Sequence, residues 1–198
     1  MNIADSRHCL WLATVVFIGG CGKQGRTEAV QFAKALAGQK VIFASASTIE
    51  RDFVSSARAW CGGITASGAG RGVELDQNAA VAVELAKSAV AISSQLSQVR
   101  QAIDGQPLKE EYPRSVRNEL TTQLTKRQRL LQDMRALLEQ SAPQFLEYRQ
   151  SRTYVGDTYP DGVGKLDALL RAYKEPEDAL GAALAALQTK YGLNDSEL

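Results

Sequence analysis

Between Val73 and Asp104 the sequence repeats every seven residues, which restricts this stretch to a long helix with one apolar seam. Leu75, Ala82, Ala89, Leu96 and Ile103 stand seven apart, and Asn78, Leu85, Ile92 and Val99 form a second series offset by three. Steps of three and four return to one side of an α-helix, whereas a strand would scatter them over both faces. Alanine at two positions of the first series lets a partner helix approach closely. Asn78, polar within the second, is a residue of the kind that sets register. A helix over 74–104 has 31 residues and is about 46 Å long.

The pattern stops at Asp104-Gly105-Gln106-Pro107 and resumes beyond Pro113. Leu124, Leu131, Leu138 and Phe145 again stand seven apart, with Leu120 and Met134 alongside. This predicts a second long helix over 113–142. Two long helices joined by a short break fold back antiparallel, so their seams face each other. The expected class is all-α: a long antiparallel hairpin, 74–104 and 113–142, with shorter flanking helices in a helical bundle.

The flanks read as shorter pieces. Glu28 to Gly38 has helical spacing, and Val41 to Ala44 is a short apolar run of no assigned type. Ser47-Thr48-Ile49-Glu50 has the form of a capping box and would open a further helix carrying Ile49, Phe53, Ala57 and Trp60. Residues 62–72 hold five glycines in eleven positions and read as a flexible connector. After a loop at 151–164, two short helices close the chain. The first carries Leu166, Leu169 and Leu170. The second begins at Pro176, carries Leu180, Leu184 and Leu187, and ends at Gly192. Residues 28–198 are expected to form a single helical domain.

The N-terminus has the layout of a secretory signal. Arg7 precedes an apolar run, LWLATVVFI from Leu10 to Ile18, and the small residues Gly19 and Gly20 lead into Cys21. Ile18-Gly19-Gly20-Cys21 resembles the lipobox of bacterial lipoprotein precursors, with Ile18 where leucine is usual. The resemblance covers about the first 22 residues. It implies a signal peptide at 1–20, diacylglycerol on the Cys21 sulfur, cleavage before Cys21, and acylation of the new amino terminus. Residues 21–27 would then be a lipid-anchored tether. The implied location is the bacterial cell envelope. Because Gly22 is not aspartate, it is the outer membrane facing the periplasm in a Gram-negative cell. No other cofactor is expected.

The same residues admit a rival reading. Gly20-Cys21-Gly22-Lys23-Gln24-Gly25 matches G-x-G-x-x-G, with strand-like residues before it, helix-like residues after it, and KVIFAS as a second strand. In a dinucleotide-binding fold such a loop holds a pyrophosphate at a helix N-terminus. That reading makes the chain a cytosolic dinucleotide-binding protein using Gly20, Gly22 and Gly25. Against it, Ala44-Ser45-Ala46-Ser47 supply no acidic residue where the second strand ends. A Walker A loop is excluded, because position 17 is Phe and Lys23 is followed by Gln24.

Removing the first 20 of 198 residues leaves 178 and takes the only histidine, His8, together with Cys9. With Cys21 acylated, Cys61 is left alone and has no histidine to activate it. Its place after Trp60 in an apolar segment suggests burial. No Lys has Ser or Thr three positions before it. Asp157, Asp161 and Gly162 fit parts of a calcium loop, but Tyr159 and Ala168 occupy ligand positions. The expectation is therefore a non-enzyme without a metal site.

The net charge of +1 hides alternating blocks: +4 over 21–72, −2 over 73–108, +3 over 109–152 and −4 over 153–198. Arg114, Arg117, Lys126, Arg127, Arg129 and Arg135 spread over more than one helix face, with Glu119 and Asp133 among them. Nucleic-acid binding wants a cleaner stripe with aromatic residues between. The expected partners are the membrane, through the lipid, and a protein partner or a second copy of the chain.

Overall fold

The computed structural model describes residues 23–70, 73–151, 159–174 and 178–198. Five α-helices follow one another: α1 (Lys23–Ser67), α2 (Val73–Asp104), α3 (Glu111–Gln150), α4 (Asp161–Ala172) and α5 (Ala179–Tyr191). A 3₁₀ turn, Asp195–Glu197, ends the chain. No strand occurs among the described residues. The fold is an all-α bundle in which α2 and α3 pack along each other as the expected hairpin.

Contacts at the two ends fix the topology. At one end the Glu28 carboxylate of α1 accepts the backbone N–H groups of Lys109 and Glu110, at 2.9 and 3.0 Å. There, too, the Tyr112 and Tyr191 rings meet edge to face, 6.0 Å apart. At the other end Trp60 of α1 meets Phe145 of α3, with centroids 5.9 Å apart, and Arg149 of α3 pairs with Asp76 of α2. So α1 and α3 run parallel and α2 runs back between them. The α4 and α5 helices also run back, fill the opposite side, and together stand in for a fourth long helix. The result is an up-down-up-down four-helix arrangement with its last member in two pieces.

The α2 seam is as the repeat requires. Leu75, Ala82, Ala89, Leu96 and Ile103 are buried, as are Leu85, Ile92 and Val99. Ala79 and Ala86 widen the buried stripe, so α2 touches α1 on one side and α3 on the other. In α3, Leu120, Leu124, Leu131, Met134, Leu138 and Phe145 are buried. Asn78 sits at the edge of this core: its amide oxygen accepts the Trp60 indole N–H at 3.1 Å, and its NH₂ donates to the Ala69 carbonyl at 3.1 Å. It fixes register by stapling the end of α1 to the start of α2.

Five boundaries differ from the sequence expectations. The pieces read at 28–38, 41–44 and from Ser47 are one helix of 45 residues. Its seam is itself a seven-residue series, Ala29, Leu36, Phe43, Glu50, Ala57, Ile64, with only Glu50 polar. Burial against three neighbours outweighs the Gly38 interruption, whose local cost is about 1 kcal/mol. Residues 23–27 of the expected tether belong to the same helix. The connector at 62–72 shrinks: α1 runs to Ser67, and Gly68 and Gly70 turn the chain with φ of 81° and 79°. The second hairpin helix extends to 111–150 and passes through Pro143. The last helix begins at Ala179, where the Asp178 carboxylate accepts the Gly181 N–H. Its end at Gly192, with φ of 61°, is as expected.

The α3–α4 crossing is tight. Gly162 lies against α3, where a Cβ would meet the Ser141 hydroxyl and come within 2.9 Å of the Leu137 carbonyl oxygen. That carbonyl already accepts the Ser141 hydroxyl at 2.7 Å. Gly162→Ala is expected to cost about 1–3 kcal/mol by overpacking. Urea denaturation checks this as a lowered midpoint at unchanged slope.

Candidate functional site

Of the residues singled out for anchoring or nucleotide binding, Gly25 is described, at the end of the bundle where α1 begins. Gly20, Cys21 and Gly22 lie outside the described residues. Gly25 lies in the first turns of α1 and is buried, and a Cβ there would stand 3.3 Å from the Glu110 side chain. Helix α1 therefore starts two residues after Cys21. The strand that the dinucleotide reading places at 40–45 is helix, in the middle of α1.

That end is fastened by charge. Beyond the Glu28 contacts, Arg26 pairs with Glu197 at 2.8 Å. The Glu197 carboxylate also accepts the Asn194 N–H at 2.9 Å. Lys190 lies 5.6 Å from the Tyr112 ring centre, a cation–π distance. The backbone amides of Glu110 and Lys109 hold the Glu28 carboxyl below its ordinary range. The Asn194 amide, aided by Arg26, does the same for Glu197. The start of α1, the α2–α3 turn and the C-terminus thus form one cap.

The most concentrated polar chemistry lies mid-bundle, and sequence reading missed it. Glu50 of α1 and Arg127 of α3 meet across the diagonal of the bundle, with N–O 2.5 Å and side chains only 1% and 8% exposed. Arg127 also donates to the Ser47 hydroxyl at 3.1 Å, and its guanidinium stands 5.2 Å from the Phe43 ring centre. The second Glu50 oxygen accepts the Tyr173 hydroxyl at 2.7 Å, just past the end of α4. Arg58 closes the group by donating to the Leu170 carbonyl at 2.8 and 3.2 Å and to the Tyr173 carbonyl at 3.2 Å. Ser47 and Glu50 are the expected capping box. In the fold they cap nothing, because the helix continues through them and their side chains serve Arg127 instead. The one readable signal was Glu50 inside an otherwise apolar heptad series.

This cluster is a structural clamp. Each Glu50 oxygen has a donor, Arg127 on one side and Tyr173, just past the end of α4, on the other. A lined depression of about 450 Å³ does occur elsewhere, between Asp104, Arg117, Asn118, Thr121 and Thr122. It is open, and its groups bond one another or nearby backbone: Thr121 donates to Asp104 at 2.7 Å and Arg117 to the Gln106 carbonyl at 3.0 Å. Among the described residues no group of three or more His, Cys, Asp or Glu side chains is placed to hold a metal ion.

Cys61 is fully buried. Burial, with a smaller contribution from the nearby Asp167 charge, pushes its thiol from an ordinary 9.0 up to about 12. The thiol therefore stays protonated and unreactive near neutral pH.

No family model matches the chain, and no curated protein or solved structure is significantly similar to it.

Two outcomes follow. Glu50→Ala strands the Arg127 charge inside the bundle and is expected to cost about 3–5 kcal/mol. The triple variant Glu50→Leu, Arg127→Met, Tyr173→Phe, which leaves no unpaired polar group, recovers most of that loss in urea denaturation. Cys61 reacts slowly with a thiol reagent in the native chain and fast in urea. Its raised folded pKa favours the fold fully below about pH 9 and loses that contribution as pH rises towards about 12.

Proposed function

We propose that the chain is an envelope lipoprotein, held to a membrane through lipid on Cys21, whose helical bundle is a binding or scaffolding module for a protein partner or a second copy of itself. The observation that carries this reading is the position of the lipobox cysteine, two residues before a 45-residue helix. A lipid there attaches to a rigid rod with almost no slack. A single acyl chain gives marginal, reversible attachment, and the two or three implied by the lipobox make it stable.

The geometry beside the anchor supports the same reading. The cap of Arg26, Glu28, Glu110 and Glu197 ties the start of α1 to the α2–α3 turn and the C-terminus, so a pull on the lipid is shared by the whole bundle. Helix α1 is about 68 Å long at 1.5 Å per residue. Trp60 stands 37 residues after Lys23, so the Trp60–Asn78–Phe145 end lies about 56 Å along the rod axis from the start of α1. Such a body separates localisation from recognition: the lipid localises, and the long helix faces remain for contact.

The test is metabolic labelling of the full chain with radioactive palmitate, together with a mass spectrum of the purified product. The wild type is expected to incorporate label and to lack residues 1–20, and Cys21→Ala is expected to abolish incorporation. An intact, unlabelled wild-type chain would overturn the proposal.

A further inference from the structure

The outward face of α2 is unusual for a solvent-facing helix surface. Over residues 77–99 the only charged side chains are Glu84 and Lys87. They pair with each other at 2.6 Å and are about two-thirds exposed. Val83 and Val90 stand 44% and 42% exposed beside them. By length and composition α2 is apolar enough to cross a bilayer, yet its seam is the core of the bundle. The excess apolar character lies on the face that no other described helix covers.

That face carries a second seven-residue pattern, opposite the buried one. Gln77, Glu84, Ala91 and Gln98 form one series, and Val73, Ala80, Lys87 and Ser94 the other, offset by three. All of them are exposed. In a parallel helix pair each position meets its own copy, which sets Glu84 against Glu84 and Lys87 against Lys87. In an antiparallel pair the two series face each other. A two-fold axis between positions 85 and 86 then sets Glu84 opposite the second copy's Lys87, and Ala80 opposite the second copy's Ala91. Val83 of each copy falls beside Val90 of the other on one flank. The pairing is self-complementary, as a two-fold interface requires. The small alanines allow close approach on either side of the charges.

We propose that two copies of the chain associate through this face of α2, antiparallel, about a two-fold axis passing between Glu84 and Lys87. Each carboxylate then lies between its own lysine and that of the other copy, in a ring of four charges of alternating sign. The proposal names the partner within the binding-module reading above and does not depend on the lipid.

The experiment uses the purified full chain in a density-matched non-ionic detergent, with sedimentation equilibrium reading the mass. The wild type is expected at twice the single-chain mass that its own mass spectrum gives. Glu84→Lys alone, or Lys87→Glu alone, sets like charges opposite each other at both symmetric positions and is expected to weaken the pair by about tenfold or more. The double exchange restores it. A mixture of Ala80→Cys and Ala91→Cys chains crosslinks above the unsubstituted background. Ala80→Cys by itself does not, because its two copies lie about 16 Å apart along the helices. A monomeric wild type overturns the proposal, as does a double exchange no better than the single changes. Crosslinking of Ala80→Cys to itself would mean a parallel pair and overturns it too. A palmitate-labelled monomer would remove the pairing and leave the anchor, whereas an unlabelled dimer would remove the anchor and leave the pairing.

Discussion

The buried pairing of Glu50 with Arg127 is the contact on which the arrangement of the other elements turns. Helices α1 and α3 are diagonal neighbours with little direct packing, and this ion pair joins them through the middle of the bundle. Two charges taken out of water lose several kcal/mol each in hydration. The arrangement holds because Ser47, Tyr173 and the Phe43 ring complete the environment. Tyr173 belongs to the stretch after α4, so the clamp also fixes where the broken fourth helix passes. Burying charge here gains little net stability over an apolar core. It does specify which faces of α1, α3 and α4 meet, because any other rotation leaves a buried charge unpaired.

The two ends are closed by different physics. The end where α1 begins is closed by carboxylates that accept backbone amides and by the Arg26–Glu197 pair. The opposite end is closed by Trp60 between Asn78 and Phe145, with the Arg149–Asp76 ion pair beside them.

Much of the architecture was legible because apolar series of seven are hard to satisfy except by long packed helices. The α2 and α3 seams were read residue by residue, and all of those residues are buried except Asn78, which sits at the core's edge. Helix α1 carries the same signal, but Glu50 interrupts its series, and Gly38 and Ser47-x-x-Glu50 resemble local stops. A motif four residues long cannot reveal that Arg127, 77 positions away, will claim its side chains. The lipobox-like motif at Cys21, on which the proposed anchoring rests, is linear and needs no fold to be read. The cap at the start of α1, built from residues 26, 28, 110 and 197, was not legible, since no short-range pattern links them.

By itself the sequence determined the all-α class, the antiparallel hairpin of α2 and α3 and the burial expected of Cys61. These follow from periodicity, composition and local motifs, which act over a few residues or a few turns. Only the tertiary structure decided that α1 is one unbroken helix and that Asn78 staples α1 to α2. It also decided that a capping motif becomes half of a cross-bundle clamp, and that one face of α2 is left uncovered by the other described helices. Each of those outcomes depends on which distant side chain arrives to complete a hydrogen bond or exclude water.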